Sequence, residues 1–175
     1  MWNAMLSVIR GGMTSNEAYQ RIQGNNVDGT NNPAYEDLLD IENYIDYMYS
    51  NFWGNMTDWP SHNWYGACRL PPNSTGMKFF NWDSERALTI TTNINHDSTG
   101  VSAGAGEPYA ALRRNAEFCT LFGDRIHRHL FNGGATTTAP SYARYKELAD
   151  LIELAMISES ARWGDQKSST PRRLE

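Results

Sequence analysis

Asp58, Asn63 and Asp83 are the residues whose types and spacing could do chemistry. Asn63 stands at the end of an Asp-x-x-x-x-Asn spacing that begins at Asp58, and Asp83 closes the apolar run Met-Lys-Phe-Phe-Asn-Trp-Asp. A base, an amide and a second acid in this order suit phosphoryl transfer. One carboxylate must accept the proton of an acceptor hydroxyl. An amide oxygen and another carboxylate must hold Mg²⁺ or Mn²⁺ against the phosphates of ATP. Asp58 takes the first role in this reading, and Asn63 and Asp83 the second. The Asp-to-Asn spacing alone is common by chance. The ordered set of acid, amide, hairpin and acid behind an amphipathic helix is more specific.

Each residue has a plainer reading. Asp58 lies in Thr-Asp-Trp-Pro, a context where an acid often caps a turn. Asn63 can hydrogen-bond its own backbone at a strand edge. Asp83, ahead of Ser-Glu-Arg, can cap a helix. At the end of a buried strand, though, an acid needs a partner or a cation.

The elements that must position these groups can be read from periodicity. Asp40 is a good N-cap, and Ile41, Tyr44, Ile45, Met48 and Phe52 behind it fall on one helical face. Gly54-Asn55 ends that helix directly before the Asp58 loop, so a rigid element carries the acid. Glu42 and Asp46 read as solvated charges on its outer face. Residues 64–69 and 77–82 are aromatic-rich and separated by Leu-Pro-Pro-Asn-Ser-Thr-Gly, which predicts a hairpin. Pairing of Trp64 with Trp82 at its open end, ~5 Å apart, would bring Asn63 and Asp83 together.

Upstream, residues 2–10 predict a helix stopped by Gly11-Gly12, and Thr14 or Ser15 starts a short second one. Residues 25–33 are dense in turn formers. Residues 88–94 are β-prone or extended, and 96–106 read as a flexible surface loop. The rest is helical. Pro108 suits a first turn, and Phe118, Leu121, Phe122, Ile126 and Leu130 form a stripe ended by Asn132-Gly133-Gly134. A last helix starts at Thr138-Ala-Pro140, carries Tyr145, Leu148, Ile152, Ala155 and Met156, and ends at Gly164. From Gln166 the chain is polar and predicts disorder. The expectation is one domain over residues 1–165 with a tail over 166–175, Leu174-Glu175 reading as a vector remnant.

The runs ENYIDYMYSNFWGNMTDWPSHNWYGACR and MKFFNWDSERAL, with RNAEFCTLFGDRIHRHLFNGGATT and ARYKELADLIELAMISESARWGD, resemble the spore-coat protein H (CotH) kinase family. The resemblance covers about Trp2 to Asp165. It implies a protein-kinase-like C-lobe, mainly α with a small antiparallel β-hairpin, an α+β class. It implies ATP-dependent transfer to Ser or Thr of a protein substrate, with Mg²⁺ or Mn²⁺. Asp58 becomes the catalytic base, and Asn63 and Asp83 become the metal ligands. The family often has Asp-x-Asp where this chain has Asp83-Ser84-Glu85, so Glu85 is a conservative departure at the second ligand position. The family's nucleotide-clamping half precedes this region. No stretch before Asp58 offers a Gly-rich loop or a strand Lys, since the lysines are Lys78, Lys146 and Lys167. The chain therefore reads as a C-terminal half, with a spore coat or exported envelope as the compartment the resemblance implies.

Composition narrows the alternatives. A 40% hydrophobic and 12% aromatic content is enough for a core in 175 residues. A net charge of −5 argues against nucleic acid as a partner. No apolar run approaches the ~20 residues that span a bilayer, and the start does not read as a signal peptide. Cys68 and Cys119 lie outside any Cys-x-x-Cys pair and read as two buried free thiols, with a bridge left open for an exported protein.

Two further enzyme signals compete. Gly100-Val-Ser102-Ala-Gly104 matches the nucleophile elbow of serine hydrolases and makes Ser102 a candidate esterase nucleophile. An elbow needs a buried strand before it and a helix after it, and Asp124 with His127 or His129 is a compressed triad. His127 and His129 face different sides of a helix and are no metal pair. Asn55-Met-Thr57 and Asn73-Ser-Thr75 match glycosylation sequons. A rival from another class is a non-catalytic binding or scaffold module.

Overall fold

Helix α3 (Ile41–Gly54) sets the frame, and its boundaries follow from local chemistry. The Asp40 side chain accepts from the Asn43 amide at 2.9 Å and caps the start. Asn55 in the left-handed region (φ 49°) ends it, and its N–H bonds back to the last turn. A computed structural model of the chain describes residues 1–70, 75–88 and 96–163. The described residues form two compact units, Met1–Arg125 and a part that begins at Ile126.

The first unit is mainly helical with one two-stranded antiparallel sheet. Helices α1 (Trp2–Arg10) and α2 (Asn16–Ile22) precede α3, with Ser15 capping α2 through the Ala18 amide. Strands β1 (Trp64–Ala67) and β2 (Lys78–Asn81) form the hairpin. A 3₁₀ turn (Gly104–Gly106) leads into α4 (Glu107–Leu112), with Pro108 in its first turn. Helix α5 (Ala116–Leu130) is a separate helix, because Asn115 interrupts the run and caps it through the Phe118 amide at 3.0 Å.

The core sits where α3 meets the inner face of the hairpin. Tyr44 and Phe79 pack edge to face at 4.9 Å, and Trp64 stacks on Phe79 at 5.6 Å with Trp2 behind it. Aromatic pairs of this kind contribute about 0.5–1.5 kcal/mol each beyond burial. The Tyr44 hydroxyl donates to the Ala105 carbonyl and accepts from the Tyr109 amide, both at 2.8 Å. Residues 104–106 are therefore anchored against the core, not loose as 96–106 read in the sequence. Burial pushes the Tyr44 phenol well above its ordinary value.

Polar contacts lay β2 along α3. Asn43 accepts from the Phe79 amide at 2.6 Å and donates to the Phe79 carbonyl. Lys78 pairs with Asp40 at 3.1 Å. The approach to β2 is held by a parallel bridge between Leu39 and Met77. Gly76 is required there: its φ is 46°, and a Cβ would meet the Asp40 amide at 2.6 Å. Glu42 and Asp46 are not merely solvated, because Arg125 bonds to both carboxylates.

The second unit contains the end of α5 and helix α6 (Thr138–Trp163). Thr136 and Thr137 close the turn before α6 through the His129 and Gly134 carbonyls. The expected stripe on α6 is not a core face: Tyr145 and Leu148 are 71% and 57% exposed. Of the stretch 88–94, read as β-prone, only Leu88 is described; residues 89–95, the expected helix end at Gly164 and the tail from 166 lie outside the described residues, as does most of the hairpin turn. Cys68 and Cys119 are free thiols, but Cys119 is exposed.

Candidate active site

The loop after α3 carries Asp58 between two buried side chains. Met56 and Trp59 are 4% and 7% exposed. The Met56 amide donates to the Asn51 carbonyl at 3.1 Å, and the Trp59 indole donates to the Tyr47 hydroxyl at 2.5 Å. Phe52 meets Trp59 edge to face. From the far side the Ala105 amide donates to the Pro60 carbonyl, and Gly104 approaches so closely that a Cβ would stand 2.3 Å from that oxygen. Asp58 is half-buried within this clamp, and its Oδ1 is buried with no hydrogen-bond partner among the described residues. A buried carboxylate oxygen without a donor is costly, which leaves this oxygen free to accept a hydrogen bond.

Asn63 and Asp83 stand at the open end of the hairpin. Trp64 pairs with Asn81, not with Trp82 as the sequence suggested. The Trp82 amide bonds to the Asn63 carbonyl at 3.1 Å, so Asn63 faces Trp82, with Asp83 next in chain. Both Asn63 (φ 62°) and Asp83 (φ 52°) are left-handed. Non-glycine residues are uncommon there, and such conformations cluster at functional sites. Asp83 is exposed, so the burial argument for a cation beside it fails. Glu85 is also exposed, in the turn that follows.

Segment 82–88 is pinned to the last turn of α3. Asn81, just before it, bonds to Asn51 and Ser50, and at its end the Leu88 amide donates to the Gly54 carbonyl at 2.8 Å. One helical turn thus launches the Asp58 loop and holds the Asp83 segment. Sequence reasoning missed Asn51, Ser50 and Asn81. The available signal was Asn51, an amide at i+7 from Tyr44 within the buried face of α3 and wholly buried.

The donor set fits a hard cation in kind. Asn63, Asp83 and Glu85 offer oxygen ligands, and Mg²⁺ is commonly held by one or two carboxylates with phosphates and waters completing the shell. Among the described residues no three His, Cys, Asp or Glu side chains form a metal-holding group. The protein's own share would be small, and phosphate would supply the rest. A shallow groove of about 510 Å³ beside Ala67, Lys78 and Phe80 lies at the other end of the hairpin.

Ser102 is exposed in irregular chain, with a turn and not a strand over the residues just before it. The strained strand-to-helix elbow that would activate a serine is not formed there. No helix among the described residues is long and apolar enough to cross a membrane. Comparison with known proteins gives no neighbour: no family model matches this chain, and neither does a curated protein or a solved structure.

Proposed function

We propose that the chain is a kinase-like C-lobe of the CotH type, carrying the base and the metal ligands of an ATP-dependent transfer to Ser or Thr of a protein. The observation that carries this reading is the shared anchorage. Asn63 and Asp83 stand at the same hairpin end in left-handed conformations, and the turn of α3 that holds the Asp83 segment also launches the Asp58 loop.

In this reading Asp58 accepts the proton of the acceptor hydroxyl through a carboxylate fixed by Trp59 and Met56. Asp83 is the principal ligand of Mg²⁺ or Mn²⁺, because a carboxylate binds such ions better than an amide, and Asn63 assists. Glu85 is the second carboxylate in reach along the chain. The ion, when bound, neutralises phosphate charge as it develops. Clamping of the nucleotide falls to a Lys-bearing lobe outside these residues.

Transfer of labelled phosphate from ATP to a Ser-rich or acidic protein, measured with that lobe present, tests the reading. Asp83→Ala should abolish metal binding and transfer together. Asp58→Ala should remove transfer and keep nucleotide and metal. Near-wild-type transfer by Asp58→Ala would overturn the assignment, and silence of a folded wild type would favour a scaffold role.

A further inference from the structure

The hydrogen bonds between α3 and the end of β2 have a forced direction. The Tyr47 carbonyl can only accept. Ser50 donates its hydroxyl to it at 2.8 Å, and Asn51 donates its amide nitrogen to it at 2.8 Å. The Ser50 oxygen then accepts, and it takes a hydrogen bond from the Asn81 amide nitrogen at 2.9 Å. The Asn51 nitrogen donates a second time, to the Asn81 oxygen at 2.7 Å. Position 81 must therefore offer a donor and an acceptor at once, at the two ends of one short planar group. Asparagine does this; Asp lacks the donor and Ser lacks the span. The same Tyr47 accepts the Trp59 indole at its hydroxyl, next to Asp58 in sequence.

We propose that Asn81, gripped by Asn51 and Ser50, is a positioning residue that sets Asp83 as a metal ligand two residues further on. This rests on the metal-holding reading of Asp83. The left-handed turn at Asp83 lies between two anchors on α3, the Asn81 bonds two residues before it and the Leu88 amide on the Gly54 carbonyl five residues after it, and Asn81 is the nearer. Groups that orient a ligand without touching the ion commonly change affinity about 10- to 100-fold when removed. The contacts made by Asn43 to Phe79 and by Lys78 to Asp40 hold the same strand further from Asp83. They supply the comparison, because their loss weakens the strand without touching the hydrogen bonds of Asn81.

The test is Mn²⁺ affinity, read by electron paramagnetic resonance on the whole chain, alongside the melting temperature of each variant. Asn81 is exposed, so Asn81→Ala should fold, and it should bind Mn²⁺ about 10-fold more weakly than wild type. Asn43→Ala should melt lower yet bind Mn²⁺ as wild type does, and Lys78→Ala serves the same purpose if Asn43→Ala does not fold. Asp83→Ala should lose the site. If Asp83→Ala loses binding while Asn81→Ala keeps wild-type affinity, the positioning role is wrong and the metal site stands. Equal weakening in Asn81→Ala and in the folded control also overturns it, since strand stability alone would then explain the effect. If Asp83→Ala binds as wild type does, the metal reading fails and the positioning role with it.

Discussion

Helices α3 and α6 are both long and both rich in apolar residues, yet they are built to different ends. On α3 eight of fourteen residues are buried. Aromatics cover one side, the Asn43, Ser50 and Asn51 amides and hydroxyl grip β2, and Arg125 covers Glu42 and Asp46. On α6 only Ser160 is buried among the described residues, while Leu151 and Leu154 are 79% and 80% exposed. Apolar residues surround α6 on most sides, a pattern usual for helices enclosed by other chain. Apolar content alone does not make a core; a geometrically matched partner does, and α3 has one in Phe79.

This contrast can be broken by mutation. Phe79→Ala should cost about 3–5 kcal/mol in chemical denaturation, because it empties the contact between α3 and the hairpin. Leu154→Ala should stay within about 0.5 kcal/mol, as for other exposed positions. A comparable loss for both would show that α6 is packed in solution.

Tyr44→Phe should cost about 1–3 kcal/mol, since it leaves the Ala105 carbonyl and the Tyr109 amide unpaired in the interior. The same phenol sharpens the comparison through pH. Burial raises Tyr44 and Tyr47 above the ordinary value of 10.0, and burial with the Glu117 charge pushes Tyr19 up to about 12. The folded state therefore favours the neutral phenols. Their contribution is fully present below the ordinary value and is lost as pH rises through the raised ones. Alkaline titration should show phenolate absorbance from these residues appearing together with unfolding. Smooth ionisation of every tyrosine near its ordinary value in a folded chain would contradict this. The cap of α3 contributes less than the core contacts: Asp40→Ala should cost about 1 kcal/mol in the same denaturation experiment.

The local signals in the sequence reached far. Asp40 and Asn55 bound α3, Ser15 starts α2, Gly11 follows α1, and the aromatic runs around 64 and 80 form the hairpin. All of these depend on neighbours in sequence. What was not legible depends on distant ones. The register shift that pairs Trp64 with Asn81 is set by the grip of α3 on β2. The anchoring of Ala105 follows from a tyrosine sixty-one positions away in the chain. Asp83 is exposed beyond a strand that ends at Asn81, one residue before the expected end at Trp82. The candidate acids and Asn63 were visible by type and order, whereas Asn51 and Asn81 read as ordinary amides until the helix and strand were side by side.

The proposed divalent-ion site is the hairpin end that carries Asn63 and Asp83. A crystal of the chain grown with Mn²⁺ and a non-hydrolysable ATP analogue tests it most directly through anomalous scattering. One peak is expected, with oxygen ligands from Asp83 and Asn63 and with Asp58 outside the coordination shell. A peak held by other residues, or Asp83 turned away from an ion bound elsewhere, would contradict it.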